Sequence, residues 1–513
     1  MKAILIFTAA VCSFFISSAQ SACSFAQMQK ISELKRINGE LKTILFETND
    51  EKHVLLLDKH NEIILQKISD SGVEIEKEFT IVSANEETFL LDAFAGSEQI
   101  YVLSGYLKNK QLIVCKTIID MENLEIAGKT TQLYSFPCKS DFYCSKDFKM
   151  ISSPDNKFHL MLFIDEMTNN DSAYIDLKMY NSEMELQWEE SMTKVTYEFF
   201  LNEEFIVDNF GNLHTILKER FNSLSISGIE ENNYFITSYF ADGQISGPIQ
   251  INLPKGNIYD YKFYTPENGI VRFGGLYYNG TIVQKGLNEY LFRNGVYGIE
   301  INMLTKEISN TSQVEFDRQF LNNHNLENFV GQKIPGDGLL YIKTKNIVDR
   351  PDGGFFVVTE ISISYDEGAQ FTDIDVFSFN KSLDIEWMKN IRKDQRTEGG
   401  GNTTAYWKRM GSFFPFYTNN NLYIIYNDNI NNLSLPEFSN SVSKYKTKAN
   451  ADNFVCIAEI SESGEIHKCI LDQNISAKGL PLITKAQVMK DNKSLYVTVR
   501  YSIAETHALI TFE

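Results

Sequence analysis

Apolar and polar positions alternate in short runs along nearly the whole chain. Runs of five to eight residues rich in Val, Ile, Phe and Tyr stand between turn clusters, and the 3.6-residue period of a helix scarcely appears. The pattern predicts an all-β protein, with one short helix over Met28 to Ile37. Two stretches 199 residues apart carry the same pattern: Asp176 to Trp188 aligns without a gap on Asp375 to Trp387. Asp, Asn and Trp recur at the same offsets, and the apolar positions match. Each copy reads as an alternating strand, a polar turn and a second alternating strand, so one sheet has been copied.

Two kinds of turn recur and alternate. One precedes a strongly apolar strand, as in Ser153-Pro154-Asp155-Asn156 before His159-Leu160-Met161-Leu162, or Pro351-Asp352-Gly353-Gly354 before Phe355-Phe356-Val357-Val358. The other joins the two strands of the repeated hairpin, as at Asn181-Ser182, Ala241-Asp242-Gly243, Asn380-Lys381 and Ser461-Glu462-Ser463-Gly464. Asp, Asn and Gly supply the left-handed backbone that such hairpins need. The alternation defines about eight units of four strands, here called A to D. The last unit holds three strands, ending at Ala508-Leu509-Ile510-Thr511-Phe512, and its fourth is expected from the N-terminal end. Four-stranded sheets closing a ring are a β-propeller, here of seven to eight blades. A linear solenoid or a row of β-sandwich domains is the rival arrangement. The divisions are a leader over 1–19, a lead segment over 20–39 and the propeller over 40–513.

This topology sorts the connections. A–B and C–D turns emerge on one face of the disc, and B–C and D–A connections on the other. The first set reads as short. The second reads as long at Lys129–Asp147, Glu219–Asn232, Gly274–Arg293, Gln313–Asp337, Lys393–Gly411 and Asn427–Asp452. Long connections cost ordering entropy and tend to carry function, so the second face is the expected binding face.

Several stretches carry a resemblance. Trp387-Met388-Lys389-Asn390-Ile391, Tyr423-Ile424-Ile425-Tyr426-Asn427-Asp428-Asn429, and Ile347-Val348-Asp349 with Pro351-Asp352-Gly353-Gly354 are similar to a group of exported, propeller-like proteins of uncharacterised function common in Bacteroidota. The resemblance implies fold and export, and no activity.

The N-terminus agrees with export. Lys2, an apolar run of about 14 residues from Ala3 to Ile16, and Ser17-Ser18-Ala19-Gln20 form a signal peptide with cleavage before Gln20 or after Ala26. Cys23 after Ala22 raises lipidation, although Gln20 stands where a lipobox wants Leu. No other segment reads as a membrane span. A net charge of −19 argues against nucleic acid and anionic membrane surfaces as partners. Seven cysteines in an exported chain make disulfides permissible. If Ile460 pairs with Glu465, Cys456 and Cys469 face each other. Cys138 and Cys144 share one loop as a second expected bridge.

Candidate chemistry is sparse. Ser153-Pro154-Asp155 lacks the Gly and Trp of a sialidase-type box and reads as a turn. Asp208 and Asp349, each ending an Ile-Val-Asp, read as turn caps before axial acids of a glycosidase. There is no Gly-x-Ser-x-Gly elbow. Asn427-Asp428-Asn429 and Asp373-Ile374-Asp375 offer oxygen ligands but complete no calcium loop. No cofactor is expected. Trp188 and Trp387 belong to the repeat and read as packing. Tyr406, Trp407 and Arg409 fall outside the pattern, in a long connection, and are the expected binding residues, with Tyr277 and Tyr278 as a weaker pair. The expected function is non-catalytic binding or scaffolding in the cell envelope or outside the cell, towards an envelope protein or glycan. A propeller-type carbohydrate-active enzyme is the alternative.

Overall fold

The computed structural model describes residues 23–30, 35–36, 42–47, 53–59, 62–69, 72–80, 88–96, 98–137, 148–167, 172–195, 204–221, 231–280, 282–285, 288–324, 338–365, 368–398, 412–439, 442–446, 453–471, 480–481, 486–489, 493–501 and 504–512. The described chain forms eight up-and-down antiparallel sheets in sequence order. Blade 1 runs Lys42–Glu47, His53–Lys59, Glu62–Ser69, Gly72–Thr80. Blade 2 is Thr88–Ala95, Gln99–Lys108, Gln111–Asp120, Thr131–Pro137, and blade 3 is Phe148–Ser152, Phe158–Met167, Ser172–Asn181, Leu186–Val195. Blade 4 is Glu204–Val207, Leu213–Phe221, Glu231–Tyr239, Ile245–Ile251, and blade 5 is Asn257–Glu267, Ile270–Tyr278, Gly295–Asn302, Glu307–Glu315. Blade 6 is Ile342–Asp349, Phe355–Tyr365, Gly368–Phe379, Ile385–Glu398, and blade 7 is Phe413–Thr418, Asn421–Asn429, Asn453–Ser461, Ile466–Ile470. Blade 8 contains Ser494–Tyr501 and Ala504–Phe512, with Leu480–Pro481 and Gln487–Val488 on its inner edge.

The N-terminal strand Ala26–Lys30 completes blade 8 by pairing antiparallel with Ala508–Phe512. The expected closure is therefore present, and the expected helix over Met28–Ile37 is corrected: Met28 to Lys30 are strand. Ala26 and Met28 are buried in the seam with blade 7. A sheet edge that needs a fourth strand outweighs the local helical pattern.

Consecutive blades stack face to face. Each successive pair shares one apolar cluster, seven in all among the described residues. Both faces of a middle strand are thus covered. Leu160, Leu162 and Ile164 pack toward blade 4, while Met161 and Phe163 pack toward blade 2. That is why the middle strands are apolar at every position rather than every second one. The stacking and the velcro closure make the protein an eight-bladed β-propeller.

The repeated hairpins are C–D pairs of blades 3 and 6. Their turns share one geometry: Asn181 N donates to Glu185 O and Met184 N to Asn181 O (both 3.0 Å), as Asn380 does to Asp384 and Leu383 to Asn380 (both 2.9 Å). Met184 and Leu383 hold the left-handed position, at φ 59° and 64°. Each repeated Trp clips the next blade: Trp188 Nε1 donates to Gly211 O at 3.0 Å, and Trp387 Nε1 to Glu462 O at 2.8 Å.

Cysteine pairing differs from expectation. Cys23 is bonded to Cys469, with Cα atoms 5.2 Å apart, and Cys456 is a buried free thiol. The turn at Ser461 is one residue wider than assumed: Ser461 N donates to Glu465 O, and Gly464 sits at φ 82°. Ile460 therefore pairs with Ile466, and Cys469 lies opposite Ile457. A one-residue slip reverses every side chain, so Cys456 faces the blade 6 seam and Cys469 the blade 8 seam. The Cys456–Cys469 bridge is withdrawn. So is lipidation of Cys23, whose sulfur is in the disulfide. Cys138 and Cys144 lie outside the described residues.

Candidate functional site

The long connections of blades 5 to 7 share one end of their strands, and buried polar side chains hold them down. Between blades 5 and 6, Asp317 Oδ1 accepts from Phe320 N at 2.7 Å and caps the short helix Arg318–Asn323. Phe320 packs on Phe316 and Phe377, with ring centroids 4.7 and 6.0 Å away. His324, just beyond the helix, is fully buried. Its Nε2 lies 2.9 and 3.0 Å from the two oxygens of Asp375, and its Nδ1 lies 2.8 Å from Phe320 O. Burial opposes charge on this imidazole, but the Asp375 carboxylate outweighs it and holds His324 above its usual pKa. Asn390 Nδ2 donates to Asp375 at 2.7 Å. Arg392 bonds Asp373 and donates to Asn323 O at 2.7 Å. The His324–Asp375 and Arg392–Asp373 pairs thus both lie at the base of this connection.

A second cluster lies alongside. Lys393 Nζ donates to Glu360 Oε1 at 2.6 Å and Gln395 Oε1 at 2.7 Å, and Ser412 Oγ donates to Glu360 Oε2 at 2.8 Å. Lys393 and Glu360 are fully buried. Burial pushes the Lys393 amine below its usual pKa, with Glu360 acting against that. The B–C connection of blade 7 is tied by Asn432, which donates to Asp428 Oδ1 at 2.9 Å and Ser443 O at 2.7 Å and accepts from Ser443 N at 2.7 Å. Further on, Tyr445–Lys446 adds a parallel fifth strand to blade 6 against Gln395–Arg396. In blade 5, Ile282–Lys285 and Asn288–Leu291 form an extra hairpin. The chain after it hooks onto Leu339 through reciprocal backbone bonds, Arg293 N to Leu339 O at 2.9 Å and Leu339 N to Arg293 O at 2.8 Å.

Elaboration is uneven. B–C strands are separated by two residues in blades 1, 2, 6 and 8, for example between Lys59 and Glu62 and between Tyr365 and Gly368. One C–D connection is long, Met121 to Thr130 in blade 2. Long connections therefore gather on the expected face mainly in blades 4 to 7.

The expected binding residues part ways. Tyr406, Trp407 and Arg409 lie outside the described residues. Tyr277 and Tyr278 end a middle strand and are buried, at 4% and 5% exposure. Tyr277 packs in the seam between blades 4 and 5. Its ring fills the space where a Cβ on Gly295 would stand, 2.5 Å away. They are core residues, and the binding assignment is corrected. Asp208 and Asp349 are one register apart. Asp208 lies beyond its strand and caps the turn through Phe210 N and Asn212 N at 2.9 and 2.8 Å. Asp349 is the last paired residue of its strand, and Asp352 caps the following turn through Gly354 N at 2.9 Å.

Ser238, His214 and Asp208 have the composition of a hydrolase triad, with Ser238 Oγ 2.7 Å from His214 Nδ1 and His214 Nε2 3.1 Å from Asp208 Oδ2. All three are fully buried, and Nε2 rather than Nδ1 meets the carboxylate, the reverse of a working triad. The arrangement braces a turn. Inner-strand acids are likewise engaged: Asp260 accepts from Leu276 N, Thr344 N and Thr344 Oγ1 at 3.1, 2.8 and 2.6 Å. Among the described residues, no group of three His, Cys, Asp or Glu could hold a metal ion, and no helix is long and apolar enough to cross a membrane.

No protein-family model matches the chain, and no curated protein matches it. Solved structures give weak likenesses. The polysaccharide lyase Uly1 is similar at 9% identity over 82% of this chain and 89% of its own, with a TM-score of 0.41. The β-propeller domain of the Trilobed protease from Pyrococcus furiosus is similar at 9% identity over 88% and 98%, TM-score 0.33. The WD40 domain of SCAP from fission yeast is similar at 9% identity over 93% and 82%, TM-score 0.29. Likenesses this low carry no argument about function, and the fold rests on the chain's own sheets.

Proposed function

We propose that the protein is an exported, non-catalytic binding or scaffold protein of the cell envelope or extracellular space. It engages an envelope protein or glycan through the long-connection face of blades 5 to 7. One observation supports the reading: the buried pairs His324–Asp375 and Lys393–Glu360 lie toward the end of the blade 6 strands from which those connections leave. Buried pairs add little net stability over apolar packing, and the role assigned to them here is to fix one conformation. Fixing a surface in advance lowers the entropy lost when a partner docks. The Cys23–Cys469 bond supports an oxidising compartment.

The test compares wild-type protein with Trp407→Ala combined with Arg409→Ala, in capture from envelope extracts and on a glycan array. Loss of ligand at an unchanged melting temperature supports the reading, and retained binding removes that connection from it. A second reading is a propeller-type carbohydrate-active enzyme, for which Asp349, exposed at the end of its strand, is the acid to test. Release of oligosaccharide ends that is lost in Asp349→Asn would favour it.

A further inference from the structure

We propose that the seam between blades 1 and 2 is a binding site for a small, uncharged, largely apolar molecule of one-ring size that carries a single hydrogen-bonding group. The inner half of this seam is filled in the ordinary way, by Ile63, Val102, Ile119 and their neighbours. Farther along the same strands, the face toward blade 1 changes character. Val102 is followed on that face by Ser104, which pairs with Cys115, while Thr117 stands opposite Val102. Small hydroxyl and thiol side chains there leave a cavity of about 170 Å³. An engineered apolar cavity of roughly 150 Å³ takes benzene, so one ring fits.

The cavity has a floor and a mouth. Ser104, Val102 and Ile119 are buried, at 1%, 1% and 2% exposure, whereas Ile126 at the lip is 45% exposed. The lip is the blade 2 connection Met121–Thr130, which folds back so that Ile126 bridges Ile119 and Ala127 N donates to Ile118 O at 2.8 Å. This C–D connection is longer than its counterparts among the described residues, and it walls the seam.

The lining sets the ligand chemistry. No charged side chain lines the cavity, so a charged ligand would lose hydration without compensation. Thr117 Oγ1 and Thr130 Oγ1 lie 2.9 Å apart. One hydroxyl proton joins them, and the other is free to meet a ligand oxygen. Burial raises the Cys115 thiol, so it stays protonated as a neutral wall.

Phenol, benzene and benzoate are the probes, titrated into the mature protein and followed by calorimetry and thermal melting. Phenol and benzene should bind and raise the melting temperature with concentration, and benzoate should not. Ser104→Leu fills the floor and should abolish the phenol response. Thr117→Val keeps the shape and should weaken phenol about tenfold relative to benzene, the loss of one hydrogen bond. If Ser104→Leu fails to fold, Thr117→Val and a phenol-soaked crystal decide. Absence of any response to phenol and benzene at 10 mM, or a soaked cavity that holds only water, overturns the proposal.

Discussion

Replacing Cys23 by Ser removes a cross-link between residues 446 positions apart in sequence. In the chain-entropy account, the constraint on the unfolded chain grows with the logarithm of that separation, and here amounts to about 6 kcal/mol at 25 °C. What remains to hold the N-terminal strand is its pairing with Ala508–Phe512, the burial of Ala26 and Met28, and the contact of Phe25 with Tyr423 at 5.6 Å between ring centroids. A propeller of this size has an unfolding entropy of about 1 kcal/mol per kelvin, so the melting temperature should fall by about 6 °C. Calorimetry on the oxidised protein, Cys23→Ser, Cys469→Ser and the double variant measures it. The three variants should coincide, because each removes the same bond. Cys456→Ala should keep the bond, and a peptide map run without reductant should retain the Cys23–Cys469 pair. A Cys23→Ser protein that melts within about 1 °C of wild type, or a map that pairs Cys456 with Cys469, refutes the reasoning.

Burial raises the Asp428 carboxyl to about 7, against bonds from Asn429 and Asn432. The folded form then keeps a proton that the unfolded chain releases near pH 4, so stability falls by about 1.4 kcal/mol per unit from about pH 4 to about pH 7. Asp428→Asn should therefore be more stable than wild type at pH 8, by on the order of 4 kcal/mol. The two should be nearly equal at pH 4; a constant difference in urea melts across that range contradicts this. Lys393→Met leaves the buried Glu360 with the Ser412 hydroxyl and the partly exposed Lys345 amine, 3.2 Å away, as partners, and should cost about 3 kcal/mol. Adding Glu360→Gln should recover most of that loss, and chemical unfolding of the pair of variants checks both statements. Tyr277→Ala should cost about 3 to 5 kcal/mol as a core truncation. A surface binding residue would cost less than about 0.5 kcal/mol.

The buried struts were hard to read from sequence because a strand that hides polar residues looks like one that shows them to water. Asn390, Arg392, Lys393 and Gln395 follow Trp387 in the last strand of blade 6, and all four are buried. Their polar run after an alternating start, in a strand that extends to Glu398, was the available signal. Its meaning depends on Asp373 of the neighbouring strand and on His324 and Ser412, which come from other elements. Tyr277 and Tyr278 mislead in the opposite direction: they sit at the end of a strand, next to a long connection, yet the seam with blade 4 covers Tyr277.

The period of the strands, the copied hairpin, the two classes of turn and the need for an N-terminal strand in blade 8 were all set by contiguous residues. Alternation and turn chemistry act within a few positions, so the amino-acid order alone determined them. The partner of Cys469 was not set that way. It turned on one extra residue in the turn before Gly464, and on which seam each face of blade 7 meets. Contacts between residues hundreds of positions apart exist only once the blades have stacked, and only the tertiary structure decided them.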